Sequence, residues 1–365
     1  MSLGRKSTDL LSVLMNGTLW IEGQSWSLLP REVVSNAIGV ESVIFEACLP
    51  GERGKPGALR CCAQAIRFQT LTLSLLPILA VLFEGWVYRG QQPSWAVFAL
   101  VVAGALFLQI AGNLFNDVED HLRLVDRPGM VGGSGVIQKG WVSAGELRQW
   151  GWGAFAIGVL LGLAVWSWGL FQSSANDPLL LVGLGSLGAL GVLLYSNGPY
   201  ALKYRALGDL AVFFMTGPLL VAGAAQVIFS HAVAPLGTRL VLGLFVGWMS
   251  WACFQAKHLR TFEVDKKSQN KTGPVQMGYK NSRHVLPLLY GLAYLSLALG
   301  VVVQALPMGC LVAAGLGLPI VLQLVYRVYL ASGPASALLE DLRSRSFRVH
   351  FWLGSLTLVG FFLKF

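Results

Sequence analysis

Residues 113–143 read NLFNDVEDHLRLVDRPGMVGGSGVIQKGWVS. They follow an almost uncharged apolar run and place four acids close together: Asp117, Glu119, Asp120 and Asp126. If the preceding helix continues into the stretch, Asn113, Asn116, Asp117 and Asp120 fall at i, i+3, i+4 and i+7, on one face. Two amides and two carboxylates on one face suit a hard cation such as magnesium, which binds protein through one or two carboxylates and through substrate phosphates. The bland counterpart is a solvated helix end whose acids are balanced by Arg123 and Arg127. At the end of a membrane helix, polar groups are costly and more often functional.

Composition places the stretch in that setting. The chain has 365 residues, of which 55% are hydrophobic and only 12% charged, and its mean hydropathy is +0.61. Those values describe a polytopic membrane protein. The net charge of +9 is explained by cationic loops on the cytoplasmic side, and no nucleic-acid partner is expected. The cysteines (Cys48, Cys61, Cys62, Cys253 and Cys310) show no metal spacing and read as structural. The five histidines are scattered.

A spanning helix needs about 20 mostly apolar residues. Runs of that kind lie at about 69–88, 96–115, 152–171, 178–196, 208–230, 237–256, 285–305, 309–330 and 349–365. The expected fold is therefore an all-α membrane protein of nine transmembrane helices over residues 61–365. Residues 1–60 read as a cytoplasmic extension, partly disordered, or as an over-called gene start. They contain no span, and Arg5 and Lys6 are not followed by the apolar core and cleavage site of a signal peptide. PGERGKPG (50–57) reads as a linker. With this segmentation every Lys and Arg except Arg89, Arg239 and Lys364 falls on one side. That bias puts the N-terminus in the cytoplasm and the C-terminus outside, in a bacterial inner membrane.

The second long cytoplasmic loop, KHLRTFEVDKKSQNKTGPVQMGYKNSRH (257–284), repeats the theme. Lys257, Thr261 and Asp265 share a helical face, which suggests two related units. Between the loops lies YSNGPYALKYRALGD (195–209), with a turn signal. Its Tyr195, Lys203, Tyr204 and Arg205 offer donors suited to phosphate oxygens. For any single basic residue the plain alternative is a positive-inside anchor. Acids, bases and aromatics on one face suggest a polyanion bridged by magnesium. A diphosphate leaving group on a greasy tail fits, because metal and cations neutralise the charge that develops as its carbon–oxygen bond ionises. An apolar cavity would keep water from the carbocation. Glu84 reads as an interfacial carboxyl beside Trp86 and Arg89, the Trp clusters as packing or interfacial residues, and GLGSLGALG (183–191) as a close helix-packing run.

These residues resemble the UbiA superfamily of intramembrane prenyltransferases, and within it the MenA-type 1,4-dihydroxy-2-naphthoate prenyltransferases. Asn113-x-x-Asn116-Asp117-x-x-Asp120 followed by Asp126 is similar to the first Asp-rich motif, and GGSGVIQKGWVS (132–143) to the segment after it in MenA-type enzymes. Tyr195-Ser196 through Leu202-Lys203-Tyr204 resembles the third motif. Gly208-Asp209 with Gly217-Pro218 resembles the fifth-span pattern, and Arg67-Phe68 followed by Pro77 the start of span one.

The resemblance implies a helix bundle around a lipid-open cavity. Magnesium held by Asn113, Asp117, Asp120 and Asp265 would bind a polyprenyl diphosphate. Asn116, Asp126, Arg67, Lys139, Tyr195, Lys203, Tyr204, Lys257, Arg260 and Thr261 would contact substrate. An aromatic acceptor, 1,4-dihydroxy-2-naphthoate of menaquinone biosynthesis, would take the prenyl group and release a proton and carbon dioxide. The second motif departs from the family. Thr261 stands in place of its first Asp, and Lys257 and His258 in place of the preceding amides. Thr offers only a neutral hydroxyl, so one metal plus Lys257 in place of two metals is expected. Another acceptor, a non-catalytic lipid-binding relative and an ion-coupled transporter are the alternatives.

Overall fold

The computed structural model describes residues 2–4, 8–21, 24–35, 41–48, 56–126, 132–172, 178–229 and 235–363. Arg127 and most of the expected linker at 50–57 lie outside the described residues. The chain divides into two compact units, Met1–Phe68 with Ile110–Ala154, and Gln69–Gln109 with Phe155–Phe365.

The first unit begins with β1 (Ser2–Gly4), α1 (Thr8–Asn16), β2 (Thr18–Ile21), β3 (Gln24–Ser35), β4 (Glu41–Cys48) and α2 (Ala58–Ile66). The strands make one antiparallel sheet in the order β1-β4-β3-β2. Alternation selects its inner face: Val43 and Phe45 are buried while Ile44 between them is exposed. The β3–β4 register shifts between Pro30 and Glu32, beside a residue that has no N–H for the ladder. The expectation of an all-α chain is corrected here, because much of residues 2–48 forms this sheet. The short alternating segments were hidden by the helical signal that dominates the rest of the chain.

The second unit opens with α3 (Thr72–Phe83). Next come α4 (Trp95–Leu122), which ends in the first unit, and α5 (Ala144–Gln172), which starts there. α6 (Pro178–Ser196), α7 (Gly208–Phe214), a π-helical turn (Met215–Leu219) and α8 (Leu220–Val227) follow. The remaining helices are α9 (Leu236–Arg260), α10 (Phe262–Lys267), α11 (Gly273–Met277), α12 (Tyr279–Ser282), α13 (Val285–Val302), α14 (Met308–Gly315), α15 (Leu318–Leu330) and α16 (Leu342–Gly360). Among the described residues seven helical segments are long and apolar enough to cross a membrane, and α14 with α15, bent by 47°, makes an eighth if counted as one span. The ninth expected run falls mostly on α16. Its opening turns carry Arg343, Arg345 and Arg348, and it does not qualify by composition. Leu160, Leu163, Leu179 and Leu187 are exposed on α5 and α6, as expected of surfaces that face lipid.

Helix α9 is central to the second unit's core. Its Leu242, Phe245, Val246, Met249, Ala252 and Ala256 are buried with Ile78 and Val81 of α3 and Leu289 and Ala293 of α13. Gly217, beside Pro218 in the π-helical turn, lets the backbones meet: a Cβ there would lie 2.3 Å from the Gly243 carbonyl oxygen. The 183–191 glycines behave differently from the sequence reading. Only Gly191 is in tight contact, against Met215, whereas Gly183 and Gly185 meet no atom within 4 Å. Gly185 and Gly188 instead line an apolar cavity of about 200 Å³ with Gly104, Gly158, Gly162 and Trp166. Glu84 also differs from the interfacial reading. It is buried and paired with Arg89, which also donates to Thr238 Oγ1 at 3.2 Å.

Candidate active site

In the first unit α4 does continue into the acidic stretch, to Leu122. Asn113, Asn116, Asp117 and Asp120 form one buried face. Glu119 points elsewhere and pairs with Arg148 at 3.0 Å and Arg123 at 3.5 Å. The bland reading therefore holds for this one acid of the four. Asn116 Nδ2 donates to Asp120 Oδ2 at 3.1 Å.

Arg67 completes the patch. It sits at the end of α2 with a left-handed backbone (φ 59°), and its Nη2 lies 3.2 Å from Asp117 Oδ1 and donates to the Asn113 carbonyl at 2.7 Å. Asn113 Nδ2 in return donates to the Ile66 carbonyl at 3.0 Å. The glycine-rich loop closes over the acids. The Gly132 and Gly133 amides donate to Asp126 at 2.7 and 3.0 Å, and the Ser134 amide donates to Asp117 Oδ2 at 3.0 Å. A Cβ on Gly133 would lie 2.4 Å from Asp117 Oδ1, so only glycine fits. Asp126 thus orders the loop. Lys139 is exposed, with its ammonium 4.5 Å from the Trp141 ring centroid, and is not drawn into the carboxylate cluster.

The second unit carries a separate polar patch on α7, α9 and α10. Lys203 is buried. Gly208 makes room for its backbone and for Tyr195: a Cβ at 208 would lie 2.9 Å from Lys203 Cα and 3.5 Å from the Tyr195 ring. Lys203 Nζ is 5.3 Å from the Tyr204 ring, and Lys257 Nζ is 5.8 Å from the Phe254 ring. Arg260 is half-buried.

Asp265 is the centre of this patch. It accepts the Thr261 hydroxyl at 2.6 Å and Asn270 Nδ2 at 2.8 Å, and His258 Nδ1 lies 3.5 Å away. The other imidazole nitrogen of His258 lies 3.1 Å from Asp209 Oδ1. Burial pushes the Asp265 carboxyl up, but His258, Thr261 and Asn270 outweigh it and hold the group below its ordinary value. The Asp209–His258–Asp265 chain was not assembled from the sequence. One signal was available, since His258 precedes Asp265 by two helical turns. The contact to Asp209 comes from another helix and leaves no trace in local spacing. On the same helices Phe213, Trp248 and Trp251 form an aromatic cluster, with Phe213 and Trp248 centroids 4.3 Å apart.

Residues 74–339 match the model of the UbiA prenyltransferase family. The chain belongs to the UbiA prenyltransferase family. It is an integral membrane prenyltransferase. The 1,4-dihydroxy-2-naphthoate octaprenyltransferase of Haemophilus influenzae is 28% identical over 250 residues, 66% of this chain and 78% of the relative. The Escherichia coli enzyme of the same name is 28% identical over 240 residues, 64% and 74% of the two chains. A UbiA homolog from Archaeoglobus fulgidus, bound to GPP and Mg2+, shares the fold with a TM-score of 0.59 at 15% identity. The similarity covers 83% of this chain and 99% of that one. The apo UbiA homolog from Aeropyrum pernix K1 gives 0.60 at 15% identity, over 80% and 98%.

The Archaeoglobus fulgidus homolog is bound to Mg2+, and the two patches of this chain differ in their fitness for a divalent ion. Among the described residues no three His, Cys, Asp or Glu side chains are arranged to hold a metal, so a site must draw on the asparagines. The first patch fits. Its donors are hard oxygens, and Asp117 Oδ1 is buried with the Arg67 charge beside it but no hydrogen-bond donor. The second patch does not fit a second ion. Both Asp265 oxygens are already hydrogen-bonded, and Lys257 is buried on the same helix face.

Proposed function

We propose that this UbiA protein transfers an isoprenyl group from a polyprenyl diphosphate to an aromatic acceptor, 1,4-dihydroxy-2-naphthoate, using one magnesium ion. The reading is carried by the buried Asn113–Asp120 face, whose Asp117 keeps a carboxylate oxygen without a hydrogen-bond donor. Arg67 lies 3.2 Å from that oxygen without hydrogen-bonding it, so its coordination is incomplete and a hard cation would complete it. The names of the Haemophilus influenzae and Escherichia coli relatives support the acceptor, and the ligands of the Archaeoglobus fulgidus homolog support the donor and the metal.

Asp117 and Asp120, assisted by Asn113 and Asn116, would hold the ion, which would supply positive charge to neutralise the diphosphate as its carbon–oxygen bond breaks. Arg67, 3.2 Å from Asp117 Oδ1, orients that carboxylate. Lys203, Lys257 and Arg260, with Tyr195, Tyr204 and Thr261, offer donors suited to phosphate oxygens. The Asp209–His258–Asp265 chain fixes the α9 end on which Lys257 and Arg260 sit. Phe213, Trp248 and Trp251 present π faces able to stabilise an allylic cation. The acceptor ring carbon bonds to prenyl C1, diphosphate departs with the electron pair, and the ring regains aromaticity by losing a proton or carbon dioxide. The bias of cationic loops supports a bacterial inner membrane with the N-terminus in the cytoplasm. The closed second patch favours one alternative, a relative with another acceptor.

The test is prenyl transfer on membranes containing the protein. Labelled geranylgeranyl diphosphate is offered with 1,4-dihydroxy-2-naphthoate, with and without magnesium, beside Asp117→Ala. Magnesium-dependent product that vanishes in the variant supports the reading. Binding of the diphosphate without product transfers the reading to another acceptor, and neither in a folded protein overturns it.

A further inference from the structure

The N-terminal sheet and α1 lie outside the matched family region, yet they pack on the end of the Asp-rich helix. Leu10, Val13 and Leu14 of α1 form one buried cluster with Leu28, Val43 and Phe45 of the sheet and with Leu124. Leu124 is two residues before Asp126 and has a left-handed backbone, φ 57°. That conformation ends α4: the Leu124 amide donates to the His121 carbonyl, and the Val125 and Asp126 amides donate to the Asp120 carbonyl. Glycine is the usual residue there, because a side chain in this region is strained. A leucine is tolerated because its side chain is buried among α1 and the strands. The cap that places Asp126 therefore depends on the N-terminal module.

A polar connection runs in parallel. His121 is buried, and its Nε2 lies 3.1 Å from the Leu14 carbonyl at the end of α1. Since that carbonyl only accepts, Nε2 carries the proton and Nδ1 is the acceptor. Gln138 Nε2 lies 3.4 Å from His121 Nδ1 and 3.4 Å from the Asp126 carbonyl. Asp126 in turn binds the Gly132 and Gly133 amides, and the next amide, of Ser134, binds Asp117. Met15 of α1 packs on the cluster containing Val136 and Ile137, just beyond those glycines. Two contacts, one apolar and one polar, thus link α1 to the loop that closes over Asp117.

We propose that the N-terminal α/β module is a positioning element for the diphosphate site: through Leu124 and through His121–Gln138 it holds the 132–134 loop on the Asp117 and Asp126 carboxylates. This rests on the reading of the Asp117 patch as the magnesium–diphosphate site. His121, Gln138 and Leu124 act through that loop and touch no reacting atom.

The experiment uses the full-length protein in lipid nanodiscs, with Leu124→Gly and His121→Phe. Leu124→Gly relieves the backbone strain of the cap while removing its side chain from the cluster with α1 and the sheet, and thermal unfolding of the variant checks that the fold is retained. His121→Gln keeps a donor for the Leu14 carbonyl and serves as the conservative variant. Hydrogen exchange is followed across residues 132–138, and prenyl transfer is resolved into kcat, the KM for geranylgeranyl diphosphate and the magnesium half-saturation. Loss of one buried link is expected to speed exchange about five- to tenfold. It should raise the magnesium half-saturation and KM by a similar factor with kcat nearly unchanged. His121→Gln should recover part of both effects. Unchanged exchange at 132–138 in both main variants overturns the proposal, and so does faster exchange with wild-type magnesium half-saturation. If the wild type binds no prenyl diphosphate at all, the functional reading fails on its own, and the exchange comparison still decides whether the module holds the loop.

Discussion

Adding one methyl group at residue 133 tests the construction of the first patch. A Cβ on Gly133 would lie 2.4 Å from Asp117 Oδ1, 2.9 Å from Asp117 Cγ and 2.9 Å from Asp126 Oδ2. Ordinary van der Waals contact begins at 3.4 Å, so in Gly133→Ala the loop or the Asp117 carboxylate must shift by about 1 Å. Either movement weakens the Gly133–Asp126 or Ser134–Asp117 bond. Hydrogen bonds to charged groups contribute about 1.5–3 kcal/mol. At about 1.4 kcal/mol per tenfold, magnesium-dependent binding of a prenyl diphosphate should weaken roughly 10- to 100-fold. The assay titrates magnesium against binding of labelled geranylgeranyl diphosphate to membranes, with thermal unfolding as the folding control. Gly153→Ala serves as the comparison, because a Cβ there meets no atom within 4 Å. A Gly133→Ala protein that titrates like Gly153→Ala would show that the loop does not shape the Asp117 site.

Three further outcomes follow from the same geometry. A complex with a non-hydrolysable prenyl diphosphate should hold one magnesium ion per chain by metal analysis, because Asp265 is satisfied by Thr261 and Asn270; two well-occupied ions would contradict the closed second patch. Asp265 is held below its ordinary value, so its stabilising contribution is present above the unfolded carboxylate pKa and is lost as pH falls through the lower folded value. In thermal unfolding the gap between wild type and Asp265→Asn should hold down to about pH 4 and close only below it; a gap already gone at about pH 5 would contradict the network. Arg89→Ala leaves Glu84 buried without its partner and should cost about 3 kcal/mol or more. Glu84→Gln should cost less in the same unfolding measurement, because Arg89 is partly exposed; the reverse order would mean that Glu84 is not the buried member.

The residues themselves determined the membrane class, most of the spans and the first acidic face. Long apolar runs and the spacing of Asn113, Asn116, Asp117 and Asp120 are local properties, expressed through the rise and period of one helix. The count of nine spans did not follow from the runs. α14 and α15 are broken by a bend, and α16 opens with arginines. The N-terminal sheet and α1, with their contacts to Leu124 and His121, are products of tertiary structure, because the strands pair across turns and bury alternating side chains against residues far along the chain. Arg67 beside Asp117, and Asp209 joined through His258 to Asp265, belong to the same class. Those contacts unite residues that are distant in sequence. Whether a buried carboxylate has both oxygens hydrogen-bonded, as Asp265 does, or keeps one without a hydrogen bond, as Asp117 does, depends on which neighbours folding brings within reach.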